Sequence, residues 1–557
     1  MYLSQKLIEK TMGEVLEEKA RLFPNYPAVK YTDRDYDRTY KEFDEECDEI
    51  AKALMHLGVK KGDHVAMWAS NIPEWLLTLF ACAKIGAVLV TVNTAYRIFE
   101  IEYLLRQSDV KVLVLMKQFK DINYMDIIKE LCPNLENDNR ERITSKRVPL
   151  LEKIIYCGEE NYKGTYNFKE LYGFSQYVSN EELAERKKSF TPFDVVNMQY
   201  TSGTTGFPKG VMLTHYNIIN DGKSIGDCMK LTEKDRLLIV VPFYHCFGLV
   251  LAVTASLTHA TSMVPVDLFS PQKVLKAMAS EKCTAVHGVP TMFIAMLNQK
   301  NFDDFDLSSL RTGIMAGSPC PINVMKEVID RMGVREITIA YGQTEASPVC
   351  TQTTTDDSIE TRVSTVGKAL PNIECKIVDP ETGETLPINT PGEFCARGYN
   401  IMKGYYKMPE ATAQVIDEDG WLHTGDLATV DERGYYKITG RIKDMIIRGG
   451  ENIYPKEIEE FLYTVDEVKD VQVIGVPSKH YGEEICACIV LNDKAECTEE
   501  YIKQQVKDNM AKFNIPSYVW FMDDFPMTAS GKIQKFKLRD QAVEKYNLKE
   551  ESEIETA

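Results

Sequence analysis

VVNMQYTSGTTGFPKG, residues 195–210, is a strand running into an anion cradle. Val195, Val196, Met198 and Tyr200 give an apolar, strand-like run, which breaks at Thr201, Ser202, Gly203, Thr204, Thr205 and Gly206 and closes on Pro208, Lys209 and Gly210. Glycines let backbone N–H groups approach an anion closely, hydroxyls add donors, and one lysine supplies a point charge. Thr214 is placed to cap a helix that follows. The order differs from the ordinary P-loop, which needs Gly-Lys-Ser/Thr, because Pro208 precedes the lysine and Gly210 follows it. Taken alone, the same letters also describe a polar hairpin.

Outward from this stretch the chain alternates helix-like and strand-like patterns. Upstream these are TYKEFDEECDEIAKALMHLGV (helix to Gly58), HVAMWAS (strand), IPEWLLTLFACAKIG (helix to Gly86) and AVLVTVN (strand). Such alternation predicts βαβ units and a largely parallel sheet. Residues 135–190, with ENDNRERITSKR, read as a charged surface excursion. Downstream, LLIVVPF and TAVHGVP end in prolines beside aromatic or glycine residues, and in α/β sheets ligands bind beyond the carboxyl ends of strands. From about 360 to 440, short strands with turn signals (NIECKIVD, PETGETLP, GEFCARG, GYYKITG) predict a small antiparallel subdomain. From 442 onward an α+β module follows.

Composition sets the outer limits. At 557 residues the chain exceeds one compact core. Its formal charge of −18 argues against general nucleic-acid binding. The cysteines are scattered, with no C-x-x-C pair, which argues against a zinc site or a disulfide framework; buried thiols in a reducing cytoplasm are expected. The first twenty residues lack a secretory h-region, and the apolar stretch Leu76 to Val92, broken by Lys84 and Gly86, reads as a buried helix entering a strand, not as a transmembrane segment.

Further polar clusters recur in a fixed order. Tyr341-Gly342-Gln343-Thr344-Glu345 offers an aromatic face, a tight turn, a hydroxyl and a carboxylate after the strand-like ITIA. Trp421-Leu422-His423-Thr424-Gly425-Asp426, Gly440-Arg441-Ile442-Lys443-Asp444, Arg448-Gly449-Gly450-Glu451 and Met527-Thr528-Ala529-Ser530-Gly531-Lys532 complete the series. With these in register, YTSGTTGFPKG resembles, almost letter for letter, the phosphate-binding signature of the adenylate-forming enzymes: acyl-CoA synthetases, firefly luciferase and peptide-synthetase adenylation domains. The likeness reaches to Lys532 and so covers most of the chain; it is nearest to medium-chain fatty acyl-CoA synthetases.

The resemblance implies a fold and a set of roles. The fold is α/β: a large N-terminal domain of two mostly parallel lobes plus a small β subdomain (1–441), then a small mobile α+β domain (442–557). ATP, Mg²⁺ and coenzyme A are the implied cofactors, and a carboxylic acid is the substrate. The phosphates fall to Thr201–Gly206 and Lys209. Gly317, Ser318 and Pro319 line adenine, Tyr341 stacks on it, and Gly342 and Gln343 shape the turn. Thr344 contacts phosphate and Glu345 holds the metal. Asp426 accepts the ribose hydroxyls, Arg441 contacts ribose or phosphate, Lys443 is the hinge, and Gly449 and Gly450 line a tunnel for the pantetheine arm. Lys532 bridges carboxylate and α-phosphate. Tyr244, His245, Phe247, Val289 and Pro290 border the acyl pocket, where His245 orients the carboxylate or gates entry; a core histidine is the plain alternative.

The implied reaction is carboxylate + ATP → acyl-AMP + PPi, then acyl-AMP + CoA → acyl-CoA + AMP, on a fatty acid of medium length. An aryl or short-chain acid is the nearest competitor, followed by a module loading a carrier protein, a luciferase-type oxygenase and a non-catalytic nucleotide scaffold. Gly222-Lys223-Ser224-Ile225-Gly226 fits the hydrolase pattern G-x-S-x-G, but a helix rather than a strand precedes the serine, so no nucleophile elbow is expected. A homodimer is compatible with the sequence, which sets no oligomeric state.

Overall fold

The computed structural model describes residues 6–201, 208–317, 320, 322–448, 451–478, 481–493, 495–510, 512–527 and 533–548. The chain divides into two compact units, residues 1–375 with 396–422, and residues 376–395 with 423–557.

In the first unit, strands that are apolar on both faces stack into layers. Val65 and Met67 turn to one core while Ala66 and Trp68 turn to another. Leu237 and Ile239 share the first of these cores, whereas Leu238 and Val240 enter a third. Period-two alternation between two buried faces is the mark of a parallel sheet covered on both sides. The central layer is helical: Met12–Leu22, Tyr40–His56, Pro73–Ile85, His215–Cys228 and Phe247–Thr254. An eight-stranded sheet lies on one side of it and a nine-stranded sheet on the other. Outer helices Ile98–Gln107 and Tyr124–Leu131 cover the first sheet, and Pro271–Ser280 and Pro290–Leu297 the second. The expected mostly parallel α/β lobes are therefore present.

Two sequence expectations change. The excursion at 135–190 contains Lys153–Cys157, a strand parallel to Val110–Met116 with Ile154 and Ile155 fully buried. The charged ENDNRERITSKR ahead of it masked a short apolar run, KIIYC. The stretch Val195–Gly210 is also a hairpin by connection: Val195–Thr201 pairs antiparallel with Lys209–Thr214, Thr201 lying opposite Lys209. Thr214 caps the next helix, its side chain accepting from the Asn217 backbone N–H at 3.1 Å. Gly222–Gly226 sits inside that helix, so the hydrolase pattern has no strand before its serine.

In the second unit, Leu422–Val430 and Tyr436–Arg441 close a four-stranded sheet as an antiparallel pair. A five-stranded sheet is built on the long hairpin Val468–Ser478 and Gly482–Leu491. Helices Pro455–Leu462 and Glu499–Asn509 cover the face carrying Val471 and Val473, and Lys535–Lys545 covers the face carrying Ile474 and Val476. Pro455 opens its helix at the first position, where its missing N–H costs nothing. Among the described residues, no helix is long and apolar enough to cross a membrane. All fourteen cysteines fall among the described residues, and none is disulfide-bonded.

Candidate active site

Four loops of the first unit leave one edge of the nine-stranded sheet. Strands Arg236–Ile239, Ala285–Gly288, Thr312–Met315 and Glu336–Gly342 run parallel as neighbours, so their carboxyl ends share that edge. The loops carry Tyr244–Phe247, Val289–Pro290, Gly317 and Tyr341–Glu345. Gly317 adopts φ +87°, and a Cβ there would meet Val289 Cγ1 at 3.1 Å, so these two candidates adjoin. Val289 is half-buried and Pro290, at the first position of its helix, is buried.

The turn after Tyr341 is forced. Tyr341 pairs with Thr351, and the register then shifts at Gly342. A Cβ on Gly342 would lie 1.8 Å from the Pro348 carbonyl oxygen, so no other residue fits without moving backbone. Gln343 leads into a 3₁₀ turn, Thr344–Ala346, with Thr344 buried and Glu345 half-buried.

Lys209 and Glu345 come together through a residue the sequence reading did not single out. Tyr405 donates its hydroxyl to Glu345 Oε1 at 2.8 Å. Lys209 Nζ lies 4.9 Å above the centre of the same ring. Burial, and then the Glu345 charge, push the Tyr405 phenol well up, so it stays a donor at neutral pH. Tyr405 sits on the strand Gly404–Tyr405, opposite Val211 of the Val195–Thr214 hairpin, and Met402 N–H fixes the Glu345 carbonyl at 2.8 Å. One phenol thus couples a cation, a carboxylate and the hairpin. One Glu345 oxygen takes the phenol, and its carboxylate could offer a hard divalent ion the oxygen donor that such ions prefer.

His245 is exposed, which removes the core-histidine alternative. Its Nδ1 accepts from the Phe247 backbone N–H at 3.2 Å, which leaves the ring proton of the neutral form on Nε2. The Cys246 thiol lies 3.5 Å from the same Nδ1 and 3.7 Å from Thr344 Oγ1, joining the Tyr244–Phe247 segment to the Thr344 turn. Gly248 packs against the backbone of Pro242, where a Cβ would fall 2.1 Å from the carbonyl oxygen. The chain then enters a π-helix, Phe247–Thr254, a local widening common at functional sites. Tyr244 and Phe247 are largely buried, whereas Leu249 and Phe293 are wholly core.

In the second unit, Asp426 and Arg441 face each other across a strand pair, with Arg441 Nε 3.0 Å from Asp426 Oδ1. Lys443 follows in the 3₁₀ turn Ile442–Asp444; burial, then the neighbouring Arg441, lower its ammonium pKa. Ser202, Gly203, Thr204, Thr205, Gly206, Ser318, Pro319, Gly449, Gly450 and Lys532 lie outside the described residues.

Known proteins share this architecture along nearly the whole chain. The AMP-binding enzyme family matches residues 16–406, and the AMP-binding enzyme C-terminal domain matches 457–532. The chain belongs to the AMP-binding, adenylate-forming enzyme family. Its relatives narrow the class. YngI of Bacillus subtilis (strain 168), which carries an acyl-CoA synthetase designation, is 54% identical over 98% of this chain and 99% of its own. The mitochondrial medium-chain acyl-CoA ligase ACSF2 of Homo sapiens is 40% identical over 97% of this chain and 89% of its own. Among solved structures, ATP-bound MatB from Rhodopseudomonas palustris superposes with TM-score 0.82 at 30% identity, covering 96% of this chain and 99% of its own. The anthranilate CoA ligase AuaEII, in complex with anthranoyl-AMP, gives 0.82 at 27%, covering 97% and 98%. The protein is accordingly an ATP-dependent, AMP-forming ligase of the acyl-CoA synthetase type.

Proposed function

We propose that the enzyme joins a medium-chain fatty acid to coenzyme A through an acyl-adenylate. The observation that carries the assignment of roles is the Lys209–Tyr405–Glu345 cluster at the carboxyl edge of the sheet, where a triphosphate would find a cation and an acidic metal ligand together. A carboxylate is a poor acyl donor because its charge repels nucleophiles; adenylation converts it to a mixed anhydride with AMP as leaving group. The protein's main task is to hold the carboxylate in line with the α-phosphorus. The phosphate loop Thr201–Gly206 with Lys209 grips the phosphates, Tyr341 stacks on adenine between Gly317–Pro319 and the Gly342–Gln343 turn, and Thr344 contacts phosphate. Asp426 and Arg441 hold the ribose. Mg²⁺ fits Glu345, where it would neutralise phosphate charge. His245 orients the carboxylate at the pocket mouth beside Tyr244, Phe247, Val289 and Pro290.

Medium chain length is supported by the ligase designation of the ACSF2 relatives. An aryl acid is the second reading, favoured by the anthranilate ligase among the structural neighbours. AMP release measured across acids from acetate to stearate, with benzoate and anthranilate included, separates them. A maximum at octanoate or decanoate is expected; a maximum at an aromatic acid replaces the first reading by the second.

The two half-reactions make opposed demands on the domain proposed for 442–557, which carries Lys532 for adenylation and Gly449-Gly450 for coenzyme A. Movement at Lys443 exchanges them. Lys532→Ala should lower adenylation by roughly 10²-fold or more, the usual loss for an electrostatic stabiliser, while thioester formation from synthetic acyl-AMP persists. Equal loss of both halves refutes the exchange. A reducing compartment such as the cytoplasm fits the absence of disulfides among these cysteines.

A further inference from the structure

Three side chains of the four-stranded sheet gather outside the groups assigned above. Glu393 and Cys395 stand two residues apart on the strand Gly392–Gly398, so they share a face. His423 lies on the neighbouring strand Leu422–Val430. The one oxygen, one sulfur and one nitrogen they offer all lie within 4.8 Å of one another. His423 Nδ1 is 2.8 Å from Glu393 Oε2 and 3.5 Å from Cys395 Sγ.

We propose that Glu393, Cys395 and His423 bind a borderline-soft dication of the zinc type. Three features of the trio carry this. First, thiolate, imidazole and carboxylate together select zinc-like ions over magnesium, which takes oxygen ligands. Second, ligand bonds of about 2.3 Å to sulfur and 2.0–2.1 Å to nitrogen, spread tetrahedrally, put the two atoms about 3.5 Å apart. The separation of Sγ and Nδ1 is 3.5 Å before any ion enters. Third, the carboxylate is already held: the Gly425 N–H donates to Glu393 Oε1 at 2.9 Å, which keeps Oε2 on the trio. Second-shell bonds of this kind fix a metal ligand's orientation.

Binding releases one proton, from the Cys395 thiol to solvent; a neutral imidazole keeps its single proton on Nε2 while Nδ1 turns to the metal. Glu393 exchanges its contact with His423 for the ion. Three protein ligands leave a fourth position for water. Cys395 is buried and His423 half-exposed, so the ion enters from the His423 side. The sequence expectation against zinc rests on C-x-x-C spacing, which such a site lacks: its ligands are i, i+2 on one strand and a third across the sheet.

The test uses the full-length protein, stripped with chelator and titrated with Co²⁺ in excess Mg²⁺. One equivalent should develop tetrahedral d–d bands with a thiolate-to-cobalt charge-transfer band, and Zn²⁺ should bleach both. Cys395→Ser should abolish the charge-transfer band, and His423→Gln should weaken binding by about 100-fold or more, beyond the effect of losing an outer-shell partner. Unchanged spectra in both variants, or no band in the parent, overturn the proposal. X-ray absorption on the one-equivalent zinc protein needs no variant. One sulfur at about 2.3 Å among nitrogen and oxygen is expected; a shell without sulfur refutes the site. Neither measurement depends on the acid that the enzyme activates.

Discussion

Replacing Tyr405 by phenylalanine removes one oxygen and leaves the ring in place. The lost bond is the 2.8 Å hydroxyl contact to Glu345; the ring contact to Lys209 is kept. A hydrogen bond to a charged group contributes about 1.5–3 kcal/mol. If the bond acts by holding Glu345 where charge develops, that converts at about 1.4 kcal/mol per decade to a roughly 10- to 150-fold fall in adenylation. Tyr405→Ala also removes the ring under Lys209, worth about 0.5–1 kcal/mol, and should lose a further roughly 2- to 5-fold. The assay is ATP–pyrophosphate exchange at saturating acid, with thermal unfolding as the check that the fold survives. Tyr405→Phe within about twofold of the parent rate would refute the coupling, because an energy that small lies below any charged hydrogen bond.

Three further perturbations separate packing from chemistry. Gly342→Ala drives a methyl into the Pro348 carbonyl and should cost about 10²-fold or more in adenylation, since small misplacements at a reacting centre cost that much; a parent-like rate would show that the turn yields freely. Lys84 is fully buried against Asp44 and Asp48 at 2.6 Å each; Lys84→Met should destabilise the first unit by about 3–5 kcal/mol in denaturant unfolding, as broken buried pairs do, and a smaller loss would mean that water reaches the carboxylates. Burial lowers His215 to about 3 and His287 to about 4, so both are neutral in the fold and protonate on unfolding below about 6.5. Their depressed values mean that stability is complete above about pH 6.5 and is lost as pH falls, each site adding a slope of about 1.4 kcal/mol per unit until its folded value is reached. His215→Asn, which still offers an acceptor to the Met12 N–H, should flatten the acid limb of the melting curve; parallel limbs would exclude His215 as a cause.

What the sequence revealed follows from how local each signal is. HVAMW and AVLVT read as buried strands because both faces of each are apolar, and helix starts at Pro73, Thr214 and Pro455 announce themselves by their capping chemistry. KIIYC went unread because four apolar residues after a charged run carry little weight against it. Tyr405 was missed for another reason: its partner Glu345 is 60 residues away, and only the nine- and eight-stranded sheets coming together make them neighbours. Its faint signal was an aromatic pair, Tyr405-Tyr406, directly after Gly404. The π-helix left no trace, since FGLVLAVT suits an α-helix equally well.

The chain leaves the first unit at Lys376, returns at Ala396 and leaves again at His423. On the ribosome, the 376–395 segment is therefore synthesised before most of the unit it belongs to. At about 5–20 residues per second, several seconds pass before even the strand pair ending at Arg441 emerges to receive it. During that interval its exposed strand edges need protection. A nascent-chain arrest between Ala396 and Arg441 should mark the point at which this protein is most dependent on chaperones and most open to proteolysis.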